Sequence, residues 1–259
     1  MIKILEVKNL EYGGFHDFNL AIAKDKHISI IGTNMCGKTT LFKIITGIIP
    51  TYNCVKCNDI WLNREHVNKY ITQIGVAIPY KEGVFLFDNV YDELSYPLKN
   101  LGYSDFYINS SINNVLKLFN LDIKTKKMEE LTLFEKQCLL FALALIHKPK
   151  VLIINEVYDY LLKDDVIKIL DILKGLSITI INFSTILDYV NYDDYVYILD
   201  NHQIVYQKEA AKILNESDLL ARIGLKIPFM RNLSNKFKEI GLIDKNYDNL
   251  EDMVNVIWK

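Results

Sequence analysis

Short runs of apolar, mostly β-branched residues recur along the chain, and segments with the spacing of amphipathic helices separate them. Strand-like runs lie at 28–31, 74–78, 151–154, 178–181 and 195–199, with a shorter one around Val55. Three of these runs are almost continuously apolar, as in parallel strands that are covered on both faces. Helical spacing appears at 112–119, 136–146 and 166–173. This alternation predicts a layered α/β fold.

The pattern changes after a last strand-like segment at 203–207. From about residue 208 onward the spacing is helical, interrupted by two glycines and a proline, and no strand pattern is present. We therefore expect one α/β domain over residues 1–207 and a small helical appendage over residues 208–259.

Composition narrows the classes of function. The 259 residues include 30 Lys and Arg and 32 Asp and Glu, so the net charge is −2 and we expect no nucleic-acid partner. The longest apolar stretch, 139–146, is far shorter than the roughly 20 residues that span a bilayer. We therefore expect no direct membrane insertion. Four cysteines in a chain of this length favour a reducing compartment over a disulfide framework.

The strongest chemical signal lies directly after the first buried strand. Residues 32–40 read Gly-Thr-Asn-Met-Cys-Gly-Lys-Thr-Thr and fit G-x-x-x-x-G-K-T between a strand and a helix. Main-chain N–H groups of such a loop point at phosphate oxygens, and the helix dipole adds to the attraction. Lys38 would reach the β- and γ-phosphates and the Thr39 hydroxyl would bind Mg²⁺. A chance glycine turn is the alternative. The predicted binding residues of this loop are Gly32, Thr33, Asn34, Gly37, Lys38, Thr39 and Thr40.

Three further segments resemble one family of nucleoside triphosphatases. Tyr12, followed by Phe-Asn-Leu-Ala-Ile at 18–22, resembles the opening in which an aromatic ring stacks on adenine. Residues 148–156, Lys-Pro-Lys-Val-Leu-Ile-Ile-Asn-Glu, resemble a Walker B strand. Residues 90–102 resemble the segment that opens a helical subdomain. With the phosphate loop, these segments resemble the nucleotide-binding subunits of ABC-type transporters over nearly the whole chain.

Within that family, the chain resembles one branch. Asn-Leu-Gly at 100–102, Gly-Leu-Lys-Ile-Pro-Phe at 224–229 and the ending at 250–258 are similar to the ATPase subunits of energy-coupling factor transporters, which take up vitamins and metal ions. The resemblance implies a P-loop NTPase fold of ABC type with an antiparallel β subdomain, a helical signature subdomain at about 88–147 and the helical appendage.

The resemblance also implies ligands and partners. The ligands would be ATP and Mg²⁺, with Thr39 and Asn155 at the metal and Glu156 polarising the attacking water. The partners would be a second ABC ATPase subunit, in a heterodimer, and a transmembrane coupling subunit whose coupling helix approaches residues 79–96. The chain would then be cytoplasmic and peripheral, on the inner face of the cell membrane.

The family's signature motif is altered. Leu-Ser-Gly-Gly-Gln appears here as Leu-Thr-Leu-Phe-Glu at 131–135, so that Leu133 and Phe134 place bulk where two glycines normally let the helix end approach a phosphate. Thr132 with Glu135 three residues later also forms the pattern of a capping box. The sequence therefore predicts a structural role for this motif.

Other positions that normally arrange the reaction are changed as well. They are Met35 for a loop glycine, Pro79 for a glutamine, Asn155 for the Walker B aspartate, Leu162 for the D-loop aspartate and Thr185 for a histidine. An amide lacks the negative charge that aspartate offers to a Mg²⁺-bound water. If position 35 needs a positive φ, Met35 costs on the order of 1 kcal/mol. Because phosphoryl transfer depends on positioning and electrostatics, we expect impaired hydrolysis.

Two other functions remain open at this point. The altered motifs equally suit a catalytically inactive nucleotide-binding scaffold or regulator that holds a partner ATPase. A soluble ABC-type protein without a transporter is the third possibility, which the C-terminal resemblance disfavours. Cys54 and Cys57 form a C-x-x-C pattern, but a closed zinc site needs four ligands and no second pair exists.

Overall fold

A computed structural model describes residues 2–247 and 250–258. Residues 1, 248, 249 and 259, which fall in the predicted domain 1–207 and appendage 208–259, lie outside the described residues. The described residues contain ten strands. They are β1 (Lys3–Tyr12), β2 (Phe15–Ala23), β3 (His27–Ile31), β4 (Val55–Cys57), β5 (Ile60–Trp61), β6 (Ile74–Ala77), β7 (Val151–Asn155), β8 (Thr179–Ser184), β9 (Tyr195–Asp200) and β10 (Gln203–Glu209).

The larger sheet has six strands in the order β10-β9-β3-β8-β7-β6. All neighbours pair in parallel except β10, which runs antiparallel to β9. Every residue of β8 is buried, as are four of the five residues of β3 and of β7. These are the runs that the sequence predicted as covered strands, and the prediction is confirmed. Burial on both faces explains why they alternate so little between apolar and polar residues.

A smaller antiparallel sheet has the order β2-β1-β4-β5. Its two long strands alternate between core and solvent: Val7 and Leu10 on β1 and Phe18 and Leu20 on β2 are buried, and each has an exposed neighbour. This alternation is typical of a sheet with one wet face. The antiparallel β subdomain that the resemblance implied is therefore present, and its buried face shares one apolar core with β3 and the first helix.

The helices follow the strands on both sides of the larger sheet. They are α1 (Lys38–Ile45), α2 (Val67–Ile71), α3 (Val90–Asn100), α4 (Asp105–Leu118), α5 (Leu133–Leu145), α6 (Lys163–Lys174), α7 (Ala210–Ile213), α8 (Ser217–Ile223), α9 (Phe229–Glu239) and α10 (Leu250–Ile257). Three short 3₁₀ turns lie at Met128–Glu130, Tyr158–Tyr160 and Val190–Tyr192.

Three helices, α4, α5 and α6, begin earlier than their apolar stripes indicate, and α6 starts at Lys163. α4 starts at Asp105 because the Ser104 hydroxyl accepts the N–H of Tyr107, at 3.4 Å. α5 starts at Leu133, after Thr132, which caps it in the same way. The first residues of these helices are exposed, Phe106 and Leu133 among them, so they add nothing to the buried stripe and periodicity alone places the helix start too late.

Helices α3, α4 and α5 form the helical part that was predicted at about 88–147, and α5 attaches it to the sheet. The attachment is close: a Cβ on Gly75 of β6 would lie 2.1 Å from the carbonyl oxygen of Ala144 on α5. Only glycine leaves room for this approach. Among the described residues, no helix combines the length and hydropathy that crossing a bilayer requires.

The C-terminal helices pack on the antiparallel edge of the larger sheet. Strand β10 runs to Glu209, and α7 begins at the next residue. Ile213, Leu220 and Leu225 form an apolar cluster with Val196 of β9. Helices α7 and α8 therefore cover the sheet beside the loop that follows β3.

Gly75→Ala should lower the free energy of unfolding by about 2–3 kcal/mol, because the added methyl meets a main-chain carbonyl that cannot move alone. Urea unfolding followed by circular dichroism measures this. Gly175→Ala is the matched control, since Gly175 has a helical φ of −76° and its Cβ position makes only an ordinary contact, 3.4 Å from the carbonyl oxygen of Ile172. Its stability should stay unchanged or rise by about 0.5 kcal/mol. Equal losses in both variants would contradict the close approach.

Candidate nucleotide-binding site

The carboxyl ends of three neighbouring parallel strands bring the predicted site residues together. The glycine-lysine loop follows β3, β7 ends at Asn155, and the loop after β8 begins at Thr185. Because β8 lies between β3 and β7, the three loops are neighbours. Open α/β sheets bind their ligands in crevices at this edge.

The loop after β3 is held in shape by close main-chain packing. A Cβ on Gly32 would lie 2.3 Å from the carbonyl oxygen of Leu199 and 2.5 Å from Sγ of Cys36. Gly37 has φ 108° at the start of α1. Met35 has φ 66° and its side chain is 96% exposed. The positive φ that would make Met35 costly is therefore present, at about 1 kcal/mol.

His202, in the turn between β9 and β10, contacts this loop through its main chain and its ring. Its main-chain N–H donates to the carbonyl of Cys36, at 3.0 Å. Its ring packs edge-on against Phe15, with centroids 5.0 Å apart, and a Cβ on Gly37 would meet it at 2.7 Å. Sequence reasoning missed His202, because a histidine 165 positions beyond Gly37 in a polar turn carries no pattern that relates it to the loop.

Lys38 is buried, at 4% exposure, inside the loop that it terminates. Its ammonium donates to the carbonyls of Gly32, at 2.8 Å, and Thr33, at 3.0 Å. Thr39 is exposed and Thr40 half-buried in the first turn of α1, while Asn34 is exposed in the loop. A phosphate bound here would meet the free N–H groups of the helix start and the Lys38 ammonium.

Tyr12 lies at the end of β1, in the turn that contacts the same helix. A Cβ on Gly13 would lie 3.0 Å from Cγ2 of Thr40, and one on Gly14 would meet the His202 ring. The Tyr12 side chain is 46% exposed. The structure thus brings Tyr12 beside the phosphate loop, and its contact with adenine stays a prediction.

Asn155 ends β7 and has a buried acceptor. Its Oδ1 atom has no hydrogen-bond partner within the part of the chain that the structure describes. An amide oxygen is a possible Mg²⁺ ligand, so Thr39 and Asn155 are compatible with the metal but with one negative charge fewer than the usual aspartate gives. Glu156 follows with φ 55°, fixed by its N–H bond to Phe183 O at 2.8 Å.

The loop after β8 is tied to the loop after β7 by a carboxylate. Asp159 accepts hydrogen bonds from the Thr185 hydroxyl at 2.6 Å, the Ser184 hydroxyl at 2.8 Å and the Thr185 N–H at 3.3 Å. The side chain that stands in place of a histidine is therefore bonded to Asp159. Sequence reasoning missed Asp159, although an acid beside an altered Walker B strand was a signal to consider.

The residues on both sides of Pro79 are bonded to the buried side-chain amide of Gln137. The Gln137 side chain on α5 donates to the carbonyl of Ile78 at 3.0 Å and accepts from the N–H of Tyr80 at 2.8 Å. These two bonds fix the chain on both sides of Pro79. Position 79 itself contributes no polar side chain to the site.

A family model supplies the identification. The model described as "ABC transporter" matches residues 15–158, more than half of the chain. The chain belongs to the ABC transporter family. Membership implies ATP binding, typically with Mg²⁺. The matched part includes the phosphate loop, the helical part and the end of β7.

Individual ABC proteins are similar over almost the full length. The energy-coupling factor transporter ATP-binding protein EcfA1 of Oenococcus oeni is 24% identical over 272 residues, covering 100% of this chain and 98% of that protein. The corresponding EcfA of Pediococcus pentosaceus is 27% identical, covering 93% and 91%. The solved structure of cbiO1 from Clostridium perfringens superposes with a TM-score of 0.76 at 24% identity, covering 90% and 99%. The structural likeness shows that the fold is that of an ABC ATPase.

Helix α5, which begins within the altered signature motif 131–135, is capped by its own residues. Glu135 N–H donates to Thr132 Oγ1 at 3.2 Å, and Thr132 N–H donates to Glu135 Oε2 at 2.8 Å, so the predicted capping box is confirmed. The bond from Thr132 N–H is the main cause that lowers the pKa of Glu135. Leu133 is 71% exposed, and the Phe134 ring lies under the Lys168 ammonium at 5.2 Å.

Cys57 of the C-x-x-C pattern is buried, and burial raises the pKa of its thiol to about 12. Among the described residues, no group of three or more His, Cys, Asp and Glu side chains could hold a metal ion.

Thr132→Ala should lower the free energy of unfolding by about 1 kcal/mol, because the N–H of Glu135 loses its acceptor. Nucleotide affinity, measured by calorimetry, should not change. Ionised Glu135 should add to the free energy of unfolding at neutral pH, and this stabilisation should disappear as the pH falls through the lowered pKa of Glu135. Thr125→Ala, at an exposed turn, is the control and should stay within about 0.5 kcal/mol of the parent. An altered nucleotide affinity in Thr132→Ala would contradict the structural role.

Proposed function

We propose that the chain is the ATP-binding subunit of an energy-coupling factor importer, for a vitamin or a metal ion. The observation that carries the proposal is the phosphate loop, in which Gly32 and Gly37 allow the tight path and Lys38 is buried at its end. The full-length similarity to EcfA proteins supports the transporter branch.

The proposed partners are a second ABC ATPase subunit, in a heterodimer, and a transmembrane coupling subunit. Through them the chain is placed on the cytoplasmic face of the membrane. An exposed apolar surface near α3 supports a docking position at residues 79–96. There Leu86 is 72% exposed, Tyr96 is 42% exposed, and the centroids of the Phe87 and Tyr96 rings lie 5.3 Å apart.

We also propose the division into a domain of residues 1–207 and an appendage of residues 208–259.

The chain's own half-site is proposed to hydrolyse ATP weakly. Glu156 would polarise the attacking water, since it follows the strand end that faces the phosphate loop. Bound Mg²⁺ would neutralise charge on the phosphates, and Thr39 and Asn155 would hold it. Around Glu156, however, Pro79 offers no polar group and Thr185 is bonded to Asp159. Losing one positioned contact typically costs about 10²–10³-fold in rate.

A nucleotide-binding scaffold or regulator of a partner ATPase is the second candidate. One specific observation favours it: the Asp159 carboxylate holds Thr185 and Ser184, which links two loops that line the site. A half-site with linked loops can bind nucleotide and still position no water. The first candidate is preferred because relatives named as transporter ATPases cover the entire chain.

Titration calorimetry with Mg-ATP tests the binding that both candidates share. The purified chain should give saturable heat, and Lys38→Ala should remove it because the ammonium is the principal cation of the loop. Lys43→Ala, at the far end of α1, is the matched control and should bind normally. Absence of saturable binding by folded wild-type protein would overturn the proposal.

Steady-state phosphate release distinguishes the two candidates. We expect a low rate for the chain alone that rises with the co-expressed partner ATPase and coupling subunit. The double variant Asn155→Asp with Thr185→His should increase turnover by about tenfold or more, because it returns a charge to the metal and an imidazole to the site. A scaffold would stay at the rate of Lys38→Ala in every combination.

A further inference from the structure

A large cavity opens at the edge of the larger sheet that lies opposite the candidate nucleotide site. Its volume is about 780 Å³, and it lies where β7 and β8 begin, since Lys150 and Ile178, the residues that precede these strands, line it. The loops of the nucleotide site follow the carboxyl ends of the same strands. The cavity is therefore separate from that site and shares none of its residues.

The buried residues that line the cavity form an apolar floor. Ile4 comes from β1 of the smaller sheet, Val115 comes from α4, and Ile146 directly follows α5. These three side chains are at most 7% exposed. Four half-buried apolar side chains widen the floor: Leu118, Leu145, Leu176 and Ile178. A ligand with an apolar chain would cover this surface and remove it from water.

The charged residues that line the cavity are exposed and form a positive rim. Three lysines, Lys24, Lys148 and Lys150, lie there with one carboxylate, Asp25. The whole chain has a net charge of −2, so this local excess of cations is not a general property of the protein. The Lys24 ammonium lies 4.0 Å from the Asp25 carboxylate. Lys148 and Lys150 form no ion pair within residues 2–247 and 250–258.

The chain around these two lysines is held in place. The main-chain N–H of Lys150 donates to the carbonyl of Gln73 at 2.9 Å, and its carbonyl accepts from the N–H of Thr179 at 3.3 Å. The Lys148 ammonium lies 5.4 Å from the centroid of the Tyr107 ring on α4. An aromatic ring has no net charge, so both ammonium groups keep an uncompensated positive charge. Positions that are already fixed lose less freedom when they bind an anion.

We propose that this cavity binds a small, soluble amphipathic anion, with a carboxylate or phosphate head at Lys148 and Lys150 and an apolar chain against the floor. The cavity volume lies within the range of about 300–1,000 Å³ that is usual for small-molecule sites. Lysine is a point charge that accepts either head group, so the rim determines the charge of the ligand. The bound anion would contact α4, the end of α5 and both sheets. This binding does not depend on the proposed nucleotide binding.

Titration calorimetry with sodium octanoate, octyl phosphate and octan-1-ol tests the ligand class, because the three share one chain and differ in the head. We expect saturable binding of at least one anion, at one molecule per chain, and about tenfold weaker binding of the alcohol. The anion that binds more tightly identifies the preferred head group. Decanoate should bind about tenfold more tightly than octanoate, since each further buried CH₂ group adds roughly threefold to fourfold. Absence of saturable binding of both anions, or equally tight binding of the alcohol, would overturn the inference.

The double variant Lys148→Gln with Lys150→Gln tests the rim, because it removes two charges and keeps two polar side chains of similar length. It should bind the tighter anion about tenfold more weakly, bind octan-1-ol as wild type does, and unfold at the same urea concentration. Lys69→Gln with Lys127→Gln is the matched control, since both lysines are exposed and lie outside the cavity. Equal weakening in both double variants would show an effect of net charge alone and overturn the inference.

Leu118→Trp tests the floor, because the larger side chain fills the cavity from α4. The folded variant, identified by circular dichroism, should lose the binding of both the anion and the alcohol. Anion binding that stays unchanged in folded Leu118→Trp, or in the Lys148 and Lys150 double variant, would place the anion elsewhere and overturn the inference.

Discussion

The close contact between Gly32 and the Leu199 carbonyl is the constraint on which the site depends. With a Cβ position only 2.3 Å from that oxygen, residue 32 must be glycine for the loop to lie on the end of β9. This contact and the His202 bond to Cys36 O fix the path of the loop. Both supports come from the same edge of the sheet. The binding geometry is therefore a property of the strands and their turns, and not of the loop alone.

The groups proposed for binding and those proposed for turnover are separate in this chain. The proposed phosphate-binding groups are main-chain atoms of the loop and one buried lysine, Lys38. The groups that position water and metal for hydrolysis in an ABC protein are side chains on the neighbouring loops. Of these side chains Glu156 is retained, whereas Asn155 is neutral and Thr185 is bonded to Asp159. Substitutions can therefore remove side chains that act in hydrolysis without changing the main-chain groups of the phosphate loop.

The sequence predicted the fold well because its signals are short-range. Apolar runs such as 151–154 identify covered strands, and the glycine-lysine motif identifies a strand–loop–helix unit without knowledge of the remaining chain. The capping box of α5 was equally readable, since it joins two residues three positions apart. Three helix starts were placed late, because α4, α5 and α6 begin with exposed residues that add nothing to the buried stripe.

The tertiary supports of the site could not be predicted in the same way. His202 meets Cys36 across 166 positions, and Gln137 reaches both sides of Pro79 from a helix 58 positions away. Neither contact has a periodic or motif signature. Asp159 lies close in sequence to Glu156, yet its partner Thr185 is on another strand end, so the bond appears only once β7 and β8 are paired.

The capped start of α5 limits how strongly that helix could hold a nucleotide bound to another subunit. The N–H groups of Thr132 and Glu135 already have acceptors within their own turn. Of the first helical N–H groups, that of Glu135 is therefore taken, and a phosphate that approached this helix end would meet one donor fewer. In an assembly of two ATPase subunits, closure of a partner's nucleotide onto this helix would then be less favourable than closure onto an uncapped one.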